Sequence, residues 1–196
     1  MAVELFLVHG KPGSGKSTAS KLAAEQLENV YNFSIGEELR ARALHDKPSR
    51  HSDELKQYAE QLRQALPVPS HLPGLVFEEC IESSPHQTVI VDGYPQYADR
   101  LPGFTETIER VGGKVLAICL IEVSDETAAE RIAGRARRTT LVAEDEVYIT
   151  KRLDGYRKNA LPTIEAMSQD YLVHVINGEA DQQEVSNELA TFISNR

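Results

Sequence analysis

Tryptophan is absent, cysteine and methionine occur twice each, and aromatic residues make up only 6% of the chain. Two cysteines, Cys80 and Cys119, cannot build a disulfide framework, which fits a reducing compartment. Basic residues are also in short supply: 21 Lys and Arg face 30 Asp and Glu, for a net charge of −9. That balance argues against broad nucleic-acid or anionic-membrane binding, and it makes any basic cluster stand out. No apolar run is long enough to cross a bilayer. The N-terminus enters a strand almost at once and lacks a basic leader, so no signal peptide is expected. The expected protein is cytoplasmic, monomeric and free of nucleic-acid or membrane partners. The six histidines show no metal-ligand spacing, and no serine or thiol nucleophile pattern stands out.

What is present is enough for one domain with a sizeable core, since the chain has 196 residues. Strand-like apolar runs recur at Val3–Val8, Val30–Ser34, Thr88–Val91, Val115–Val123 and Tyr171–Ile176, with helical patterns between them. Continuous apolar strands alternating with helices predict an α/β fold, a five-stranded parallel sheet with helices on both faces. A single domain over 1–196 is expected. The stretch between Ser34 and Thr88, with Pro67, Pro69 and Pro73, is too long for one crossover helix. It predicts a helical insertion over about 34–75, above the sheet's C-terminal edge, where open α/β sheets bind ligands. Ser124-Asp125-Glu126 predicts a helix start, and that helix is expected to run to about Arg135. A long helix is expected from about Glu144 to Ala160, ended or kinked by Pro162. Asp181 and Glu184 read as a capping box for a final helix.

Gly10 to Thr18 read GKPGSGKST, the phosphate-loop pattern Gly-x-x-x-x-Gly-Lys-[Ser/Thr], set between the first strand and a helix from Ser17 to Leu27. Gly10, Gly13 and Gly15 permit a tight turn whose backbone N–H groups point inward at an anion, and Pro12, Ser14, Ser17 and Thr18 belong to the same nucleotide-binding stretch. Lys16 can reach the β and γ phosphates of a nucleotide, and the Ser17 hydroxyl can ligate Mg²⁺. Asp92 ends a buried strand before Gly93. In a chain with a phosphate loop that position suits Mg²⁺ or its waters, although a strand-ending Asp-Gly turn is also common. The segment from Arg131 to Ala143 holds Arg131, Arg135, Arg137 and Arg138 and no acid. Arg131 and Arg135 share a helix face, where like charges repel unless a polyphosphate lies between them. Arg152 borders an apolar helix face and could point into a cleft or snorkel. Arg40 has Glu37 three residues back, so a local ion pair accounts for it. His9, at a strand end, reads as structural.

Taken together these motifs resemble adenylate kinase and its nucleoside monophosphate kinase relatives. Gly10 to Lys16, Ser34-Ile35-Gly36-Glu37-Glu38-Leu39-Arg40, Asp92-Gly93-Tyr94-Pro95, Asp125-Glu126 with Arg131-Ile132 and Gly134-Arg135, and Lys151-Arg152-Leu153 with Tyr156 and Pro162 each match a family motif. Asn177-Gly178 falls where the family's last strand turns beneath the adenine of ATP. The resemblance implies Mg²⁺-dependent transfer of the ATP γ-phosphoryl group to a nucleoside monophosphate or a similar small phosphate acceptor. It implies that Lys16 and the loop hold ATP phosphates, that Arg131 stacks on the ATP base, and that Arg135 and Arg152 clamp the transferring group. Ser34, Gly36, Arg40, Asp92, Gly93, Gln96 and Arg100 fall in the acceptor half, and Ser17 and Asp92 serve the metal. It also implies that about 34–75 is the acceptor-binding subdomain and about 136–146 a short lid.

The chain departs from the pattern chiefly in that half. Gln96 stands where the family has an arginine for the acceptor phosphate, and Arg100 where it has a glutamine for the acceptor base. Ile35 replaces a threonine or alanine. Either Arg100 takes over the phosphate or the acceptor is different. Two alternatives follow: a kinase of another small acceptor, and a nucleotide-binding module with weak ATPase activity.

Overall fold

The five apolar runs pair with one another as neighbouring strands. They form β1 (Glu4–His9), β2 (Val30–Ser34), β3 (Thr88–Asp92), β4 (Lys114–Glu122) and β5 (Val173–Asn177). The computed structural model of the chain describes residues 3–45, 47–63, 68–138 and 146–196, with side chains of 135–138 and 146–147 excepted. All four strand pairings are parallel, in the order β2-β3-β1-β4-β5. The expected five-stranded parallel α/β sheet is therefore the observed one.

The strand side chains alternate between two cores, as a period of two requires. Leu5, Leu7, Val89, Val91, Ile118 and Leu120 face one core. Phe6, Val8, Ile90, Ala117, Cys119 and Ile121 face the other. The second core is closed by α1 (Lys16–Gln26) and α10 (Gln182–Ser194). Asp181 caps α10, its carboxylate accepting from the Gln183 and Glu184 amides at 2.8 and 2.9 Å. The first core lies under α2 (Ile35–Leu44), α3 (Ser52–Gln57), α4 (Ala59–Arg63), α5 (His71–Ser83) and α6 (Leu101–Arg110). Phe77 of α5 sits 5.2 Å from Phe33, 5.2 Å from Tyr94 and 5.5 Å from Phe104, ring centre to ring centre. That aromatic knot anchors the chain that follows β3, where the Tyr94–Pro95 peptide is cis.

A third, smaller cluster of Val123, Ala128, Ile132 and Leu153 joins α7 (Asp125–Arg138) to α8 (Glu146–Gly155). The Ser124 hydroxyl accepts from the Thr127 amide at 3.0 Å, so Ser124 starts α7 as expected. Of the expected lid, residues 139–145 lie outside those described.

Of the two outcomes expected at Pro162, an end or a kink, the helix does not end. The chain passes from α8 through one wide π turn, Tyr156–Ala160, straight into α9 (Leu161–Met167). Pro162 then falls in the first turn of α9, where its missing N–H costs nothing. The wide turn shifts the hydrogen-bond register and absorbs the proline.

Candidate active site

The phosphate loop leaves β1 at Gly10 and delivers the chain to α1. Gly13 is required there by both conformation and space: its φ is +85°, and a Cβ would lie 2.5 Å from the Ala128 carbonyl oxygen of α7. Gly15 stands at the N-cap of α1, so no side chain caps the helix, and its first turn carries no acid. The first-turn N–H groups are left for an anion. Three buried polar atoms without a partner ring this loop: His9 Nε2, Ser14 Oγ and Asp92 Oδ1. A buried polar atom left unpaired costs about 1–3 kcal/mol, so a ligand that satisfies several of them binds with that much to recover.

Register places Asp92 at the loop. Val8 pairs with Asp92 across β1 and β3, and the Gly93 amide donates to the Val8 carbonyl at 3.1 Å. Asp92 is 3% exposed, and its Oδ2 accepts from the Ser34 hydroxyl at 2.9 Å. That bond ties the start of α2 to the end of β3. Oδ1 remains without a partner, which fits a carboxylate that takes a metal-bound water. Lys16 and Gln96 converge on Gly93. A Cβ on that glycine would come within 3.8 Å of Lys16 Cε and 3.1 Å of Gln96 Nε2. The loop lysine and the chain after Asp92 thus share one small space.

The expected ion pair of Arg40 with Glu37 is not formed. The Arg40 guanidinium lies instead over Gly36, its Nη1 3.2 Å from where a Cβ would sit. A half-buried cation on α2 is therefore held near the Ser34–Asp92 contact. Arg131 is exposed and donates to the Gly178 carbonyl at 2.9 Å, so α7 meets the end of β5 as Arg131, Asn177 and Gly178 would have to for one shared ligand. Gly178 has no room for a side chain: a Cβ would lie 2.7 Å from both Ile121 and Val123. Arg152 is half-buried beside Tyr148, its guanidinium 5.7 Å from the ring centre. The Arg135 side chain lies outside the described residues.

The family described as AAA domain matches residues 9–148 of the chain, from the last residue of β1 into α8. The chain belongs to the AAA domain family. Over almost its whole length this AAA domain is also similar to curated adenylate kinases. The one from Helicobacter hepaticus is 28% identical, with 98% of each chain covered. The one from Campylobacter lari is 27% identical over 95% of this chain and 98% of its own. The one from Sulfurovum is 28% identical over 97% of each. The resemblance read in the motifs is therefore a resemblance of the whole chain.

One feature of the site escaped the sequence. Lys11, inside the loop of this AAA domain, donates to Asp125 Oδ1 at 2.6 Å. Asp125 Oδ2 also binds Arg157, which reaches Asp154 at 2.8 Å. The loop, the first turn of α7 and the segment after α8 are thereby laced together. The hydrogen bonds from Lys11 and Arg157 hold the Asp125 carboxyl below the usual carboxylate range. Lys11 and Asp125 are 114 residues apart, with no periodicity to link them.

His9 is 2% exposed, and burial together with the Lys16 ammonium pulls its pKa down from 6.5 to about 3. The imidazole is neutral in the folded chain and charges on unfolding below pH 6.5. The unfolded state then binds more protons, so stability is lost as pH falls from 6.5 toward 3. At pH 5 the loss from this group is about 2 kcal/mol. Melting curves of the wild type and His9→Asn at pH 7 and pH 5 check it: the variant should lose clearly less on acidification. Equal losses would contradict a neutral, buried His9.

Proposed function

We propose that this chain is a nucleoside monophosphate kinase that transfers the γ-phosphoryl group of ATP, with Mg²⁺, to a nucleoside monophosphate. The observation that carries the reading is the meeting of Lys16 with Gly93 and Gln96, which brings a phosphate-loop cation against the chain that follows Asp92. Similarity to adenylate kinases over 98% of the chain supports it.

In this reading each residue has a role. The N–H groups from Gly13 to Thr18 and the Lys16 ammonium hold the donor's phosphates. Arg131 and the Asn177–Gly178 turn flank the donor base. Arg135 on α7 and Arg152 on α8 clamp the transferring group in this reading. Ser17 and Asp92 would hold the metal, which would neutralise charge on the phosphate oxygens. The helices of about 34–75 close the acceptor side, where Ser34 and Gly36 shape the start of α2 and Arg40 takes the acceptor phosphate. Catalysis is positioning and charge neutralisation in a site that excludes water, with no covalent intermediate.

Gln96, Arg100 and Ile35 favour a second reading in which the acceptor is another small phosphate compound. A module that only binds and slowly hydrolyses ATP is a third. Compounds joining adenosine through five phosphates to a second nucleoside separate a two-site kinase from such a module. One ligand filling both sites avoids a second association cost. With the second nucleoside varied through the common bases, at least one such compound should bind tenfold or more tightly than ATP in calorimetry. If none binds more tightly than ATP, there is no acceptor site of this kind.

A further inference from the structure

The phosphate loop is pliable by composition, and the structure braces it from outside. Gly13 and Gly15 take φ of +85° and +87°, a conformation that suits glycine and that nothing in their own side chains maintains. Glycine gives up more backbone freedom on ordering than any other residue. A loop ordered only by its ligand would therefore bind that ligand more weakly than one already fixed in shape.

Lys11 supplies an anchor. Its ammonium lies 2.6 Å from Asp125 Oδ1, at the first residue of α7, and only 20% of the Lys11 side chain is exposed. Asp125 Oδ2 takes Arg157 of the π turn, and Arg157 reaches Asp154 near the end of α8 at 2.8 Å. Both oxygens of one carboxylate are thus engaged by cations from two different segments. One residue earlier, the Ser124 amide donates to Glu179 Oε1 at 2.6 Å, which ties the same turn to the chain after β5. Three residues later, Ala128 is fully buried, and its carbonyl oxygen occupies the space that a Cβ on Gly13 would need. The first turn of α7 is therefore a junction of the phosphate loop, the π turn and the turn after β5. An isolated exposed ion pair contributes little, but a network with a partly buried member holds its geometry better.

Resting on the donor half of the reading above, we infer that Lys11 and Asp125 are positioning residues for ATP: their bond, backed by Arg157, fixes the phosphate loop against α7 in its anion-binding shape. The bond also divides the two lysines of the loop. Lys11 is committed to α7, and Lys16 is the one that meets the phosphates. Because a preset loop favours bound substrate and transition state alike, the contribution belongs to donor affinity rather than to the chemical step.

The test is the Kd of MgATP by calorimetry for wild type, Lys11→Met, Asp125→Ala, the double variant and Lys11→Arg. Each of the first two should weaken ATP binding about three- to tenfold, and the double variant no further than the weaker single, because both remove the same bond. Lys11→Arg keeps the charge and the donor and should bind ATP within about twofold of wild type. At saturating ATP the turnover of Lys11→Met should stay near that of wild type, so that its loss appears in the KM for ATP and not in kcat. Melting should change little, since the pair is partly exposed; if Asp125→Ala folds poorly, Lys11→Met and Lys11→Arg still decide. Tighter ATP binding by Asp125→Ala would overturn the inference, because the released Lys11 would then be serving the phosphates directly. Unchanged affinity in both single variants, or losses that add in the double, would overturn it as well. A wild type that does not bind ATP would overturn the donor reading itself, and this inference with it.

Discussion

Replacing Lys16 by alanine should lower turnover by at least a hundredfold to a thousandfold while leaving the fold intact. In the proposed reading the Lys16 ammonium is the loop charge that meets the phosphates. It stands at the first residue of α1, beside Gly93 and Gln96. Removing a single well-placed donor from a site of developing negative charge costs about 10²–10³ in rate, and a full charge in a partly dry site is at the upper end. Stability should not fall with it. The Lys16 charge is one of two causes that depress the His9 pKa. Without it that pKa rises, and less stability is lost on acidification. Steady-state rates together with melting curves at pH 7 and pH 5 decide the matter. Wild-type rates would remove Lys16 from the mechanism, and a collapsed fold would make it structural.

Asp92→Asn should have the second largest effect. The amide keeps the shape of the carboxylate and can still accept from the Ser34 hydroxyl through its oxygen, so the link between β3 and α2 survives. It removes the charge from a side chain that is 3% exposed and whose other oxygen has no partner. If that oxygen serves the metal, turnover should fall about a hundredfold at low Mg²⁺ and recover in part as Mg²⁺ is raised. The free protein should be as stable as wild type or more so, because a buried charge without full compensation is lost. A magnesium titration of the rate reads this directly. An unchanged magnesium dependence would mean that Asp92 is a strand-end residue and nothing more.

The sheet and the loop were legible because their signals are local. Strands buried on both faces read as unbroken apolar runs, and each run became a strand within a residue or two of its expected ends. Glycines in the loop pattern announce their own geometry. Features that depend on distant partners were not legible. The π turn through Tyr156–Ala160 hides in an ordinary helical period, so Pro162 read as an end or a kink and the wide turn before it went unseen. The Arg40–Glu37 pair was favourable by spacing alone, yet Arg40 lies over Gly36. Lys11 and Asp125 have no sequence relation at all. Arg100 was visible as an oddity after Asp92-Gly93-Tyr94-Pro95, but only the fold shows that it is buried with its Nε unpaired. The donor half of the site rests on backbone patterns that sequence encodes. The acceptor half rests on side-chain neighbours that only the fold brings together.

Transfer between two bound nucleotides is decided by the fate of the γ-phosphoryl group. ATP labelled with ³²P at the γ position, mixed with excess enzyme, Mg²⁺ and each monophosphate in turn, should place the label in a nucleoside diphosphate for at least one acceptor, with little released as inorganic phosphate. Label appearing only as inorganic phosphate, whichever acceptor is supplied, would contradict the account.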